Sequence, residues 1–113
     1  MNVVLYHNPN CSKSREALSL LSERGIKPQL REYLKVGVTA AEVIKLAEQA
    51  QLSVLELVRT GEDEWPQNSP GEAEAAALIA KTPKLLQRPI VSHEGRALVA
   101  RPPKLLIAFL GLK

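Results

Sequence analysis

Residues 3–21 of the chain read VVLYHNPNCSKSREALSLL. The β-branched and aromatic run Val3–Tyr6 predicts a buried strand, and the turn-forming residues 7–10 end it. From Ser12 the apolar residues recur at helical spacing, and Gly25 lies where a left-handed cap would end a helix. The first 25 residues therefore predict a strand, a turn and a helix, and the turn runs directly into the helix.

Two further segments predict the rest of a sheet. After Pro28, residues 29–34 alternate polar and apolar side chains, which predicts a half-exposed strand. Near the other end, residues 89–92 and 96–100 predict a β-hairpin in which Gly95 supplies a positive φ. The apolar residues of segment 105–110 follow two prolines and predict a closing helix that covers the sheet.

The middle of the chain is predicted to be helical. Three pairs of residues match the capping box, in which a Ser or Thr precedes a Glu by three positions, and each predicts a helix start. The pairs are Thr39 with Glu42, Ser53 with Glu56, and Ser69 with Glu72. A polar stretch at residues 60–68 predicts a loop between the last two helices.

The order β-α-β, helices, β-β-α predicts an α/β fold with a thioredoxin-like (glutaredoxin-like) core and a mixed four-stranded sheet. We expect one domain over residues 1–113, with the core from about 1–36 and 86–113 and a helical insertion over about 37–85. A chain of 113 residues that is 45% hydrophobic can bury such a core without disulfides or metals. The pattern alone leaves other small α/β folds open.

Composition limits the kinds of partner. The 15 Lys plus Arg against 12 Asp plus Glu give a net charge of +3, which is too small and dispersed for a nucleic-acid surface. Aromatic residues are only 4%, which argues against base stacking. Nothing resembles a membrane span or a secretory signal. We therefore expect a cytoplasmic monomer with no nucleic-acid or membrane partner, and small anions remain candidate ligands.

Cys11 lies where the amide groups and the dipole of a helix N-terminus favour a thiolate, the nucleophilic form. His7, Lys13 and Arg15 are close in sequence and add positive or polar groups. Ser14 replaces the second cysteine of a dithiol enzyme, so it can donate a hydrogen bond to the thiolate but cannot form a disulfide. If Cys11 is redox-active, the reducing thiol must come from another molecule. The alternatives are that Cys11 is a small buried apolar residue and His7 an ordinary turn histidine.

Arg59, Arg88 and Arg101 each precede a residue or pair that breaks regular structure. Guanidinium groups at element ends can converge on a tetrahedral oxyanion because their planar forks bind two oxygens at once. The alternative is that they are solvated charges. We expect no metal, because no set of residues has metal-ligand spacing. Because only about 5% of X-Pro bonds are cis, the residues alone favour a trans Arg88-Pro89 bond.

Four motifs, in order and over nearly the whole chain, resemble the glutaredoxin-linked arsenate reductase family. They are YHNPNCSKSR at 6–15, ELVRT at 56–60, QRPIV at 87–91 and ARPP at 100–103. The shortened segment 65–70 and the absence of a charged carboxy-terminal extension resemble the short branch of that family.

The resemblance implies a thioredoxin-like fold with an inserted helical subdomain and a reaction that reduces arsenate to arsenite. The family cysteine attacks arsenate to form a covalent adduct, glutathione then adds, and glutaredoxin resolves the mixed disulfide. Glutathione is a co-substrate, and no tightly bound cofactor is implied. The implied site comprises Cys11, His7, Ser14 and Arg15 for catalysis, Arg59, Arg88 and Arg101 for the oxyanion, and a cis peptide bond at Pro89.

Two other functions stay open. One is a related glutathione-dependent thiol reductase acting on another oxyanion or on protein mixed disulfides. The other is a non-enzymatic interaction module like the regulators of this superfamily that bind RNA polymerase. Those regulators generally use two cysteines, so Ser14 argues against the second alternative.

Overall fold

The computed structural model describes residues 1–68 and 70–113. Among these residues, no helix combines the length and apolar character needed to cross a membrane. The elements in chain order are β1 (Val3–Tyr6), α1 (Ser12–Glu23), β2 (Gln29–Arg31), α2 (Tyr33–Val36), α3 (Ala40–Ala50), a 3₁₀ helix (Val54–Leu57), α4 (Glu72–Lys81), a second 3₁₀ helix (Pro83–Leu85), β3 (Ile90–His93), β4 (Arg96–Val99) and α5 (Leu105–Phe109).

The four strands form one mixed sheet in the order β2-β1-β3-β4. β1 and β2 are parallel and are joined through α1, because parallel neighbours need a crossover connection. β1 pairs antiparallel with β3, and β3 pairs antiparallel with β4. This arrangement confirms the predicted thioredoxin-like fold.

Alternation of side chains along the strands gives the sheet two buried faces. Leu5 and Val91 pack into a cluster with α1 and α5. Their neighbours Tyr6 and Ile90 point to the opposite face and pack into a larger cluster with α3 and α4. The sheet is therefore the middle of three layers.

The start and end of α1 agree with the sequence analysis. Cys11 is the N-cap residue, with an extended backbone at φ −101° and ψ 122°. Gly25 has a φ of +72°, and its amide donates to the Ser22 carbonyl at 3.0 Å. A residue in the left-handed region allows amides beyond the helix to turn back to its last carbonyls, and glycine adopts that region without strain.

The predicted second strand is too long, because β2 ends at Arg31 and Tyr33–Val36 form the short helix α2. Arg31 pairs with Tyr6, the last residue of β1, so the chain beyond it has no strand to pair with. Its backbone is satisfied instead by a helical turn, in which the Val36 amide donates to the Glu32 carbonyl at 3.1 Å.

The prediction of three capped helices is correct only in part. The Thr39 hydroxyl accepts from the Glu42 amide at 3.1 Å, so α3 begins as predicted. The second predicted helix is a 3₁₀ helix of four residues, because the chain leaves it at Val58 to form a β-bridge with Leu86. The start of α4 was predicted at Ser69, which lies outside the described residues.

The hairpin forms as predicted, with one shift. His93, expected in the turn, belongs to β3 and pairs with Arg96. The turn is therefore Glu94 and Gly95, whose φ values of +48° and +77° suit a two-residue connection between twisted strands.

Candidate active site

Three segments meet at the carboxyl end of β1. Tyr6 pairs with Arg31 of β2 on one side and with Ile90 of β3 on the other. The turn that follows Tyr6 therefore lies between the residues after Arg31 and those before Ile90. The end of β4 joins them, because the Ala100 amide donates to the Pro89 carbonyl at 2.9 Å.

The turn that carries Cys11 is held by its own hydrogen bonds. The Cys11 amide donates to the Asn8 carbonyl, and the Asn10 amide donates to Asn8 Oδ1, both at 3.0 Å. The Arg15 guanidinium donates to the Pro9 carbonyl at 2.9 Å. These bonds hold Cys11 at the first turn of α1, where backbone amides lack partners within the helix.

Opposing effects act on the half-buried Cys11 thiol. Burial raises its pKa, whereas hydrogen bonds from the Ser14 amide, the Arg88 guanidinium and the Lys13 amide lower it. The lowering effects are larger, so the pKa of Cys11 lies below its usual range. The thiol is therefore more extensively ionised near neutral pH than an ordinary cysteine.

His7 and Ser14, which lie before and after Cys11 in the chain, form a buried polar pair. Their side chains share a 2.7 Å hydrogen bond between Nδ1 and Oγ, and Oγ also accepts from the Asn8 amide at 3.0 Å. Burial lowers the pKa of His7, which keeps the ring neutral near pH 7. His7 thus contacts Ser14 rather than Cys11, and it is the Arg88 guanidinium that places positive charge on the thiol.

Arg88 and Arg101 are each followed by a proline. The Arg88-Pro89 bond is cis, which is the form implied by the family resemblance and not the one favoured by the residues alone. The Arg101-Pro102 bond is also cis, and the sequence analysis did not anticipate it. Arg101 Nη1 donates to the Arg88 carbonyl at 2.8 Å, which joins the two segments next to Cys11.

Arg59 reaches the same edge of the sheet from the middle of the chain. Its amide donates to the Leu85 carbonyl at 2.7 Å, which holds it beside the segment leading to Arg88. A cavity of about 420 Å³ opens here. Its lining residues are Arg59, Thr60, Gly61, Glu62, Gln87 and Arg101.

Two guanidinium nitrogens at this edge are buried without a hydrogen-bond acceptor among the described residues, Nη1 of Arg59 and Nε of Arg88. Arg59 is partly neutralised by Glu62, whose Oε1 lies 3.5 Å from Nη2. Burying an N–H donor of a charged group costs free energy unless the donor is paired with a hydrogen-bond acceptor. The cationic edge is therefore suited to an anion with several oxygens.

The structure brings most of the predicted site residues together. Arg88 lowers the pKa of the Cys11 thiol, and Arg101 is bonded to the Arg88 carbonyl. Arg59 and Arg101 line one cavity, and neither Cys11 nor Arg88 is among the described residues that line it. Arg15 is exposed and holds the turn through Pro9 rather than facing the cavity. Within residues 1–68 and 70–113, no three His, Cys, Asp or Glu side chains are grouped to hold a metal.

The sequence analysis missed several residues of this edge, among them Gln87 and Tyr33. Gln87 lines the cavity, and its side-chain amide donates to the Val58 carbonyl at 3.1 Å. Tyr33, which the sequence pattern places in the second strand, is fully buried, and the charges of Cys11 and Arg88 act on its hydroxyl.

Comparison with known proteins agrees with this geometry. A sequence model of the ArsC family matches residues 6–109. The uncharacterised protein YfgD of Escherichia coli (strain K12) is 37% identical, and the alignment covers 96% of this chain and 97% of that protein. An arsenate reductase of Haemophilus influenzae is 33% identical over 97% of this chain and 100% of its own. The solved structure of an arsenate reductase from Vibrio cholerae superposes with a TM-score of 0.87 at 38% identity, covering 96% and 97% of the two chains. The chain belongs to the ArsC family.

Proposed function

We propose that this protein is a thiol-dependent oxidoreductase that reduces arsenate to arsenite, with Cys11 as the nucleophile. One observation carries the proposal: Cys11 begins α1 at an edge that also holds Arg59, Arg88 and Arg101, and the Arg88 guanidinium lowers the pKa of the thiol. A thiolate and an arsenate anion repel each other, and guanidinium groups at their meeting point offset that repulsion. Membership of the ArsC family supports the same substrate.

The first step is a substitution at arsenic. The Cys11 thiolate attacks As(V), an S–As bond forms, and one oxygen leaves as water after protonation. No electrons change hands in this step. The cationic edge supports it because Arg88 holds the thiolate at arsenic while the guanidinium groups bind the oxygens that carry the negative charge.

Reduction requires a second thiol, for which we propose glutathione. Its thiolate attacks the Cys11 sulfur and forms a mixed disulfide, while the S–As bond breaks and its electron pair stays on arsenic. Arsenic leaves as As(III) in arsenite. Ser14 occupies the position where a dithiol enzyme would carry its second sulfur, and its hydroxyl is bonded to His7 and to the Asn8 amide. This supports a reducing thiol from another molecule.

Glutaredoxin would complete the cycle by attacking the glutathione sulfur of the mixed disulfide, which releases the Cys11 thiolate. We propose that the protein acts as a monomer without a tightly bound cofactor. The reducing cytoplasm is the compartment that suits a single reactive cysteine and a glutathione co-substrate.

The experiment is arsenite production from arsenate by the purified protein with glutathione, glutaredoxin and NADPH-driven recycling, alongside Cys11→Ser. We expect turnover that the variant loses. Omission of glutaredoxin alone tests the proposed reductant separately from the substrate.

If the wild-type protein produces no arsenite while Cys11 is acidic and becomes glutathionylated, the substrate is wrong and the thiol chemistry stands. A different oxyanion or a protein mixed disulfide would then be the next candidate. An unreactive Cys11 would contradict the enzymatic proposal and favour an interaction module.

A further inference from the structure

Tyr33 is fully buried at the start of α2, and its hydroxyl has no hydrogen-bond partner among the described residues. The ring packs within the larger hydrophobic cluster. A phenylalanine would fill the same space and avoid the cost of burying an unpaired hydroxyl. A buried polar atom without a partner therefore needs an explanation outside the packing.

The pairing of the strands places Tyr33 at the edge that carries Cys11. The His7 amide donates to the Arg31 carbonyl at 3.0 Å, so the chain just beyond Arg31 runs beside the start of the cysteine turn. α2 also packs against the 3₁₀ helix Pro83–Leu85, which leads into Arg88. α2 therefore follows the strand end beside the cysteine turn and packs against the segment that leads to Arg88.

Electrostatics agrees with this position. Burial raises the pKa of Tyr33 to about 12, and the charges of Arg88 and Cys11 act on the same hydroxyl with opposite signs. At any pH near neutrality the hydroxyl therefore remains protonated and is available as a neutral donor.

We propose that the Tyr33 hydroxyl donates a hydrogen bond to an oxygen of the oxyanion held at Cys11 and Arg88. The inference rests on the proposed function, because it needs an oxyanion at this edge. Within residues 1–68 and 70–113 the hydroxyl has no acceptor, and the bound anion would supply one. The arginines would provide charge, whereas this buried donor would orient one oxygen while the sulfur attacks arsenic.

The test uses Tyr33→Phe, which removes only the hydroxyl, and measures how arsenate protects Cys11 from alkylation by iodoacetamide in the absence of any reductant. We expect the arsenate concentration for half-protection to rise about tenfold or more, the effect of losing one hydrogen bond to a charged acceptor. Alkylation without arsenate should be unchanged, and Tm should stay the same or rise.

Tyr6→Phe is the matched control. The Tyr6 hydroxyl donates to Glu42 at 2.6 Å, away from Cys11, so its removal should lower Tm without changing protection by arsenate. The opposite behaviour of the two tyrosines would separate a ligand contact from a structural one.

Three results would overturn the proposal. Equal protection of wild type and Tyr33→Phe would remove the role of the hydroxyl and leave the oxyanion site intact. A lowered Tm, or altered alkylation without arsenate, would assign the hydroxyl to folding or to the thiol. If arsenate does not protect the wild-type cysteine, the oxyanion site fails, and the role of Tyr33 fails with it.

Discussion

At Cys11, burial and hydrogen bonding act on the thiol in opposite directions. Two amides of α1 and the guanidinium of Arg88 together lower the pKa of the thiol by more than burial raises it. The amides come with the fold of the turn, whereas the effect of Arg88 depends on a residue 77 positions further along the chain. The side chain of Arg88 is therefore the part of this environment that a substitution can remove without changing the turn.

We expect the alkylation rate of Cys11 to titrate with a pKa below the usual range of a free thiol. Arg88→Ala should raise that pKa, because the variant loses a donor and a positive charge next to sulfur while burial still opposes ionisation. Measuring the alkylation rate against pH tests both statements. A wild-type curve typical of a free thiol would remove the physical basis of the mechanism.

Arg88→Ala and Arg101→Ala should both weaken arsenate binding, by about tenfold or more, because each removes charge-assisted hydrogen bonds to the anion. Only Arg88→Ala should also change the titration of Cys11. Arg96→Ala is the control, since Arg96 lies over the Phe109 ring and not at the cysteine edge. Unchanged binding in both variants, measured by calorimetry with circular dichroism to confirm folding, would show that these arginines are ordinary surface charges.

At the scale of elements, Glu42 joins α3 to both β1 and β2. Its carboxylate accepts from Tyr6 at 2.6 Å and from Arg31 Nε and Nη2, both at 2.8 Å. The Arg31 fork lowers the pKa of Glu42 below its usual range, and the two side chains are between a fifth and a third exposed. Such a bidentate pair contributes more than an exposed one, because little solvent screens it.

We predict that Glu42→Gln lowers the free energy of unfolding by about 1–3 kcal/mol at pH 7. Because the folded state lowers the pKa of Glu42, this contribution is present above a pH of about 4.5 and is lost as pH falls through the folded pKa. Urea unfolding at pH 7 and at pH 3.5 should therefore show a smaller difference from wild type at the lower pH.

Glu48→Gln serves as the control for that measurement, since Glu48 is exposed on the same helix and should have little effect at either pH. A destabilisation of Glu42→Gln that is equal at both pH values would contradict the ion pair as its cause.

At the scale of the whole molecule, the sheet is shared by two hydrophobic clusters. Tyr6 and Ile90 belong to the cluster built with α3 and α4, while Leu5 and Val91 belong to the one built with α1 and α5. Because adjacent residues of the same strands contribute to both clusters, neither side can lose its packing without exposing one apolar face of the shared sheet.

We therefore predict that the chain unfolds as one unit and that the helices between β2 and β3 do not unfold separately. Trp65, the single tryptophan, packs against the cluster on the insertion side and reports on it. Its fluorescence and the far-UV circular dichroism of the whole chain should give the same urea midpoint. Separate midpoints would indicate that the insertion is an independent unit.

Local patterns were sufficient to predict much of the fold. Val3–Tyr6, the apolar spacing of α1 and Gly25 each lead to one structure through propensity and periodicity, and the hairpin follows from Gly95. Where prediction failed, a long-range partner decided. β2 stops at Arg31 because β1 ends opposite it, and the second capped helix is short because Val58 pairs with Leu86.

The site divides in the same way. The position of Cys11 at the start of a helix is a local property, so the chemistry of a nucleophilic thiol could be inferred from the residues around it. The effect of Arg88 on the thiol, the bond between Arg101 and Arg88, and the burial of the Tyr33 hydroxyl arise only when the strands are aligned. Strand register brings together residues far apart in sequence, and no local pattern records which of them will meet.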